Sequence, residues 1–305
     1  MEMLWLGQAN CDDTALVGGK VANLSRLAAA YTVPTGFCVP TTALAAPDAS
    51  FTLPAALRQG IAAAYQRLAE ISGDAAPRVA VRSSAADEDG SAASFAGQHE
   101  TYLNIAGSDA VMEAVARCWA SAHTERAYDY RRQHGLATDR IGLAVLVQRL
   151  VPADVSAVVF SANPVTGERG EVVINASWGL GESIVGGTVT PDTYVVHRAS
   201  GAVVERRIAE KRRMTVAIPG GTREVDVPRF LRAAPALDGP HIAAMADLAA
   251  SLERAMGWPV DIECALQGDR LSLLQCRPIT TLITEHPAPA LVLQGARAGA
   301  AVAGR

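Results

Sequence analysis

Hydrophobic spacing divides the 305-residue chain into a helix-containing first half and a strand-rich second half. Apolar residues three and four apart predict helices, and the one at 18–30 follows a glycine turn with Val21, Leu24 and Leu27 on one face. The pattern also predicts helices at 54–71 and 108–134, the latter as one or two segments. Short apolar runs predict strands at 37–39, 79–81 and 101–104, with a polar loop over 83–97.

From residue 141 the apolar positions alternate, which is typical of strands. Strands are expected at 143–147, 155–161 and 171–176, and a helix ending at Gly257 is expected at 240–256. The order of elements predicts an α+β fold of two lobes, roughly 1–140 and 141–282, with a cleft between them. Residues 283–305 begin with a segment that is predicted to be a linker.

Composition limits the possible function classes. Hydrophobic residues make up 50% of the chain and charged residues 19%, as in soluble globular proteins, and the net charge of -4 argues against a general nucleic-acid or membrane-surface binder. The start lacks a secretory signal, and the apolar region 141–160 is interrupted by polar residues, so a cytoplasmic location without membrane insertion is expected. The five cysteines are far apart and are predicted to be buried thiols.

Two neighbouring segments near the end of the second half carry the most informative polar residues. Alternation places Asp261 and Glu263 on one face of a strand, and Gln275 and Arg277 on one face of the next strand. Oxygen donors beside a guanidinium suit Mg²⁺ that carries a polyphosphate. We therefore expect a nucleoside triphosphate site here, although an ordinary hairpin with a polar outer face remains an alternative.

The register of this hairpin decides whether the four residues meet. A two-residue turn at Gly268-Asp269 would put Glu263 and Gln275 on opposite faces. A three-residue loop, Gly268-Asp269-Arg270, would place Glu263 opposite Gln275 and Asp261 opposite Arg277. The sequence interpretation therefore requires the three-residue loop.

Two basic residues in the first half could bind phosphate. Lys20 follows two glycines at a helix start, where backbone N–H groups favour anions, although the segment fails the Walker pattern and Lys20 could be a simple exposed lysine. Arg82 ends an apolar strand and therefore requires an anionic partner. That partner could be a ligand or one of the acidic residues at 87–89.

Other segments give weaker indications. Residues 94–101, which include Gly97 and Thr101, could form a flexible flap with backbone donors over a ligand. Gln148 ends a strand and could contact an adenine edge, or could simply cap the strand. The run 211–213 (Lys-Arg-Arg) could meet phosphate but fits a solvated surface as well. The glycines at 179 and 181 fail the dinucleotide pattern, because position 184 is isoleucine.

Taken together, these segments resemble the N-terminal ATP-grasp domain of the phosphoenolpyruvate-utilising dikinase family. That family includes phosphoenolpyruvate synthase, pyruvate phosphate dikinase and rifampicin phosphotransferase. The resemblance covers about 1–282 and depends on a combination of motifs: Gly-Gly-Lys at 18–20, Val-Arg-Ser-Ser-Ala at 81–85, Ser-Phe-Ala-Gly-Gln-His-Glu-Thr at 94–101, Trp-Gly-Leu-Gly-Glu at 178–182, Asp-Ile-Glu at 261–263 and Gln-Cys-Arg-Pro-Ile-Thr-Thr-Leu at 275–282. The segments 97–99, 118–121 and 278–281 look more like rifampicin phosphotransferases.

The resemblance implies a role for each matching residue. It implies ATP and Mg²⁺ as ligands, with Lys20 and Arg82 on the phosphates and Gly97 and Thr101 in the loop that covers them. Gln148 would lie at the adenine end. Glu263 and Gln275 would bind Mg²⁺, while Asp261 and Arg277 would complete the cluster. The positive charges of Lys20, Arg82 and Arg277 would offset the bound triphosphate, so these three residues are the expected catalytic groups.

The resemblance further implies transfer of phosphate from ATP to a histidine on a swivelling domain and then to a small molecule, such as a rifamycin-like antibiotic or pyruvate. No histidine of this sequence has the expected setting, and the segment 293–300 looks like the opening strand of that domain. We therefore expect a kinase-type phosphotransferase that is incomplete on its own, with its histidine domain in cis or in trans. A non-catalytic ATP-binding module and a complete small-molecule kinase are the alternatives.

Overall fold

The computed structural model describes residues 2–44, 51–85, 101–133, 138 and 141–282. Within these residues the chain forms an α+β fold, as the sequence predicts. The helices are α1 (Thr14–Leu27), α2 (Ala55–Ser72), α3 (Ser108–Ser121), α4 (Glu125–Gln133), α5 (Glu182–Val185), α6 (Arg229–Arg232) and α7 (Gly239–Met256). The strands are β1 (Leu4–Trp5), β2 (Gly36–Val39), β3 (Val79–Ala85), β4 (Thr101–Ile105), β5 (Leu143–Arg149), β6 (Val155–Phe160), β7 (Glu171–Trp178), β8 (Asp192–His197), β9 (Val203–Arg207), β10 (Arg213–Ile218), β11 (Gly221–Asp226), β12 (Val260–Gln267) and β13 (Arg270–Pro278).

The strands form two large antiparallel sheets and a separate hairpin. The five-stranded sheet has the order β1-β2-β5-β3-β4, and the six-stranded sheet has the order β13-β12-β6-β7-β8-β9. Strands β10 and β11 pair only with each other among the named strands. Because β5 pairs with β2 and β3, the change from one sheet to the other falls after Arg149 rather than at 140/141. A local change of period could not reveal that pairing.

Two apolar clusters cover opposite faces of the five-stranded sheet. On one face, Val145 and Val147 pack in the cluster that contains residues of α2 and α3. On the other face, Ala144 and Leu146 join α1, α7 and the inner face of the six-stranded sheet in a second cluster. Alternate residues of one strand therefore serve two cores, and the second core connects the two sheets.

The predicted helices are present with small changes at their ends. The stretch 108–134 forms two helices, and α7 begins after the Asp238 cap and ends at Gly257, which has a φ of +78°. The short helices α5 and α6 and the strands β8 to β11 were not predicted individually. No helix among the described residues is long and apolar enough to cross a membrane. The predicted linker and domain start at 283–305 lie outside the described residues.

Candidate functional site

The β12–β13 hairpin brings the four predicted residues together by a route that the sequence interpretation missed. Gln267 pairs with Arg270, so the turn is the two-residue Gly268-Asp269 and the predicted three-residue loop is wrong. Gly268 occupies the first turn position with a φ of +54°, a conformation that glycine adopts readily.

A β-bulge then restores the register that the site requires. Cys264 pairs with Leu273 but Glu263 pairs with Gln275, so Leu274 is an extra residue on β13. Beyond the bulge, Asp261 pairs with Arg277, as predicted. A bulge changes register by one residue just as an odd loop would, which is why the predicted pairs form despite the wrong turn.

The opposite face of the hairpin is apolar. Cys264 and Cys276 are buried in the core that connects the sheets, and burial raises the pKa of the Cys264 thiol. The other cysteines, Cys11, Cys38 and Cys118, are also buried and free. The prediction of five buried thiols is therefore confirmed.

Asp261 and Arg277 form the inner ion pair of the polar face. Arg277 Nε donates to Asp261 Oδ2 at 2.8 Å, and Asp261 is 7% exposed. Burial raises the pKa of the Asp261 carboxyl, while the Arg277 guanidinium lowers it and the nearby Glu263 charge adds to the rise. Desolvation is the largest of these causes.

Arg82 of β3 connects the five-stranded sheet to this hairpin. Its Nη1 lies 3.5 Å from Glu263 Oε2 and donates to the Leu274 carbonyl at 3.4 Å. The bulge leaves that carbonyl available, because the extra residue has no cross-strand partner. Arg82 Nε is buried and has no hydrogen-bond partner within the described part of the chain. The acidic residues 87–89, considered as partners of Arg82, lie outside the described residues.

Lys20 is positioned by a close contact between α1 and the end of β3. Helix α1 is broken at Gly18, whose φ of +74° and ψ of 163° are not helical. A Cβ at Gly18 would lie 2.3 Å from Ser84 Oγ and 2.5 Å from the Ser84 carbonyl oxygen, so a side chain there would clash. Ser84 Oγ accepts a hydrogen bond from Val21 N at 3.4 Å. Gly18 thus allows the start of the second helical segment, and Lys20 with it, to lie against β3.

These elements enclose one pocket between the five-stranded sheet and the hairpin. Its lining comprises predicted ligands and residues that pack around them: Lys20, Val21, Leu24, Arg82, Ser83, Ser84, Thr101, Leu146, Leu274 and Gln275. Thr101 reaches the pocket because it is the Cα partner of Arg82 across β3 and β4. Glu263 adjoins the pocket through its contact with Arg82. Gly97 lies outside the described residues.

Gln148 occupies a less accessible position. It follows Leu146 on the same face of β5, but its side chain is buried and its Nε2 donates to the Pro34 carbonyl at 3.1 Å. The structure does not place Gln148 in the pocket lining. Its predicted contact with adenine stays a prediction.

Sequence reasoning missed the roles of Ser84 and Leu274. Ser84 stands in the quoted Val-Arg-Ser-Ser-Ala segment, but its contact with Gly18 depends on packing between segments 66 residues apart, and no local signal gives the bulge at Leu274. In the basic run 211–213, the predicted solvated surface holds for Arg212 and Arg213 but not for Lys211. Lys211 is fully buried and pairs with Asp192 at 2.5 Å, whereas Arg212 and Arg213 pair with acidic residues on the surface.

The donor set fits Mg²⁺ that is shared with a phosphate ligand. No cluster of three or more His, Cys, Asp or Glu residues occurs in the part of the chain that the structure describes. Magnesium in nucleotide sites needs only one or two protein oxygens besides phosphate and water, and Glu263 and Gln275 offer two from directly opposite positions.

Comparisons with known proteins match nearly the whole chain. The family model described as "Pyruvate phosphate dikinase, AMP/ATP-binding domain" matches residues 49–294. The phosphoenolpyruvate synthase of Pyrococcus furiosus is 42% identical over 248 residues, which cover 78% of this chain and 30% of that protein. A probable phosphoenolpyruvate synthase of Methanocaldococcus jannaschii is 42% identical over 231 residues, covering 75% of this chain and 19% of that protein.

A rifampicin phosphotransferase of Streptomyces sviceus is also similar, with 38% identity over 314 residues, which cover 92% of this chain and 36% of that protein. The matches thus include both kinds of enzyme, and the chain spans between about a fifth and somewhat over a third of the length of these relatives. The family match covers more than half of the chain and includes β3, β4, β12 and β13. The chain therefore belongs to the pyruvate phosphate dikinase AMP/ATP-binding domain family.

Proposed function

We propose that this chain is the Mg²⁺-ATP-binding part of a dikinase-type phosphotransferase. In this proposal the two sheets are the walls of an ATP-grasp cleft with one lobe on each side. A phosphate of ATP goes first to a histidine on a separate domain and then to a small molecule. A rifamycin-like antibiotic and pyruvate are the acceptor classes suggested by the family.

The observation that carries the proposal is the contact of Arg82 with Glu263 and the Leu274 carbonyl. A cationic side chain of one sheet lies beside an acidic side chain of the other, and the pocket of Lys20, Thr101 and Gln275 surrounds them. The contact satisfies Arg82 only in part, because its Nε has no hydrogen-bond partner among the described residues. A partly buried guanidinium with an unused donor is suited to an anionic ligand.

The charges of the pocket suggest how the work is divided. Lys20 and Arg82 would bind the phosphate oxygens from the side of the five-stranded sheet, with Thr101 beside Arg82. Glu263 and Gln275 would hold Mg²⁺ from the hairpin. Arg277 would act near the same phosphates while it remains paired with Asp261. When bound, Mg²⁺ would offset the negative charge of the phosphate oxygens.

Catalysis by these residues would consist of positioning and charge stabilisation. Phosphoryl transfer requires an in-line nucleophile and compensation of charge on the equatorial oxygens, and neither demands a covalent protein intermediate in this pocket. The described histidines are already engaged elsewhere: His123 with Tyr128, His197 with Ser200 and His241 with Asp238. None of these three lines the pocket. The acceptor histidine is therefore assigned to another segment or chain.

Phosphate transfer to a supplied partner tests the proposal. The purified chain would be mixed with Mg²⁺, ATP labelled at the phosphate that is transferred, and a separately produced phosphohistidine domain of a rifampicin phosphotransferase or phosphoenolpyruvate synthase. We expect acid-labile label on the partner domain. The label should be lost when the acceptor histidine is changed to alanine, and when Arg82→Met replaces the active chain.

The other outcomes separate the competing functions. ATP binding without label on any partner domain would indicate a non-catalytic nucleotide-binding module. Direct labelling of a rifamycin or of pyruvate without a histidine domain would indicate a complete small-molecule kinase. Failure of the chain to bind ATP with Mg²⁺ would contradict the proposal as a whole.

A further inference from the structure

Strand β4 contains a bulge whose extra residue has an unusual conformation. Arg82 and Val81 pair with Thr101 and Tyr102, but Val79 pairs with Ile105, so β4 gains one residue in between. Asn104 lies in this interval, fully buried, with a φ of +61°. Asparagine enters the left-handed region more readily than most side chains, and a bulge can redirect a side chain out of the sheet.

The redirected amide of Asn104 uses all its polar atoms. Its Nδ2 donates to the Ile218 carbonyl at 2.5 Å and to the Gly221 carbonyl at 2.6 Å. Its Oδ1 accepts from Arg78 Nη1 at 2.8 Å. Ile218 and Gly221 flank the two-residue turn of the β10–β11 hairpin. One side chain of the five-stranded sheet thus forms hydrogen bonds with the turn of a hairpin that is more than one hundred residues away in sequence.

The same hairpin is attached to the six-stranded sheet. Leu180, just beyond β7, donates its backbone N–H to the Thr215 carbonyl at 2.9 Å. A Cβ at Gly179 would lie 2.4 Å from that carbonyl oxygen, so the chain approaches β10 at a distance that only glycine permits. Under this contact, Leu180 packs with Ala80 and Leu103 of the five-stranded sheet. The β10–β11 hairpin therefore spans the two sheets, joined to β7 through Thr215 and to β4 through Asn104.

We propose that Asn104 is a positioning residue that fixes the distance across the nucleotide pocket. This inference rests on the proposed function. Three residues before Asn104, Thr101 lines the pocket beside Arg82, whereas Gln275 belongs to the other sheet. By holding β4 to a hairpin that is anchored on the six-stranded sheet, Asn104 keeps the phosphate-binding side and the metal-binding side in register. It contacts neither set of ligands itself.

Replacement of the amide tests this inference. Asn104→Gly keeps the left-handed backbone free of strain but removes all three hydrogen bonds, and Asn104→Asp keeps the shape but removes both donated bonds. We expect each variant to bind Mg²⁺-ATP about tenfold more weakly, the equivalent of about 1.4 kcal/mol. Amide hydrogen exchange should become faster in β10, β11 and β4. If Asn104→Gly fails to fold, Asn104→Asp still tests the inference.

Asn163→Ala is the matched control. The amide of Asn163 also makes three hydrogen bonds, to Glu171, Val165 and Thr166, but all of them lie on the six-stranded side. This control is expected to leave ATP affinity within twofold of the original protein and exchange in β4 unchanged.

The outcomes for Asn104 are distinct from those for the proposed function. Unchanged exchange in β10 and β11, or faster exchange with ATP affinity within twofold, would overturn the positioning role. If the unaltered chain failed to bind Mg²⁺-ATP, the proposed function would fail. Hydrogen exchange alone would then decide whether Asn104 holds the hairpin to β4.

Discussion

Two ion pairs with the same chemistry have very different surroundings in this molecule. Lys211 Nζ lies 2.5 Å from Asp192 Oδ1, and both side chains are completely buried. Arg82 Nη1 lies 3.5 Å from Glu263 Oε2, and these side chains are 17% and 22% exposed. The first pair joins the start of β8 to the segment between β9 and β10, and the second lies between the two sheets.

The difference is one of hydrogen-bond satisfaction. Asp192 accepts from the backbone N–H groups of Ala209 and Ala236 and from the Tyr194 hydroxyl, in addition to Lys211. Lys211 also donates to the Ala209 carbonyl. Burial raises the pKa of Tyr194 to about 12, so its hydroxyl remains a donor at neutral pH. By contrast, Arg82 retains a buried donor that no described residue accepts.

This contrast teaches how to distinguish a structural ion pair from one that belongs to a ligand site. A buried pair whose carboxylate already accepts four hydrogen bonds holds segments together, and its acceptor leaves no room for a further ligand. In a long ion pair with an unused donor, such as Arg82–Glu263, the charged groups can bind a ligand with little rearrangement. The pair Asp261–Arg277 is intermediate, since it is short but faces the pocket side of the hairpin.

The largest effect is expected from breaking the satisfied pair. Asp192→Ala leaves a buried ammonium group and two backbone donors without their acceptor, so the free energy of unfolding should fall by about 3–5 kcal/mol. Urea denaturation measures this loss. The double variant Asp192→Leu, Lys211→Met should be less destabilised than Asp192→Ala, because no charge remains buried. A loss below about 1 kcal/mol for Asp192→Ala would contradict the structural role of the Lys211–Asp192 pair.

A smaller but more specific effect is expected at Gly18. Gly18→Ala combines a nearly glycine-only backbone conformation (φ +74°, ψ 163°), which costs about 1–3 kcal/mol, with a clash against Ser84 that adds about 1–3 kcal/mol. The control Gly73→Ala has a similar φ of +63° but open space around the new methyl group, so only the backbone cost should appear. ATP affinity should fall in Gly18→Ala alone, because Lys20 follows this contact. Equal losses in the two variants would contradict the role of the clash.

Asp261→Asn should change how the stability of the protein depends on pH, because Asp261 is the acidic partner in the Asp261–Arg277 pair. Since burial raises the folded pKa of Asp261, the folded state binds its proton more tightly than the unfolded state. The stability from this group is therefore fully present below the unfolded pKa and is lost as pH rises through the folded pKa. Urea denaturation between pH 4 and pH 7 should show Asp261→Asn gaining stability relative to the original protein as pH rises, by about 1 kcal/mol or less. If Asp261→Asn instead lost stability relative to the original protein as pH rises, the effect of Arg277 on the Asp261 pKa would outweigh desolvation.

Much of the fold could be predicted from the sequence because its helices and central strands have regular periods. The hydrophobic face of α7 and its stop at Gly257 are local signals, and so is the alternation in β5. The sheet to which β5 belongs is not a local property, since pairing with β2 and β3 joins distant segments. The sequence therefore could not predict that β5 belongs to the five-stranded sheet.

The candidate site divides in the same way. The position of Glu263 opposite Gln275 was predicted because both residues lie in one hairpin. The predicted turn was wrong, but the bulge at Leu274 produces the same register. The neighbourhood of Arg82 could not be predicted from spacing, since its partner Glu263 is 181 residues away. Tertiary packing likewise determines the contact of Gly18 with Ser84 and the hydrogen bonds of Asn104 to the β10–β11 hairpin.

The magnesium dependence of ATP affinity in Glu263→Gln tests the central claim most directly. Calorimetric titration would compare the original protein, Glu263→Gln and the surface control Glu205→Gln, each with and without Mg²⁺. We expect Mg²⁺ to strengthen ATP binding in the original protein and in Glu205→Gln, at least about tenfold, and to have little effect in Glu263→Gln. The free energy of unfolding without ligand should change by less than about 1 kcal/mol in Glu263→Gln. Equal strengthening by Mg²⁺ in all three proteins would contradict the assignment of the metal to the hairpin.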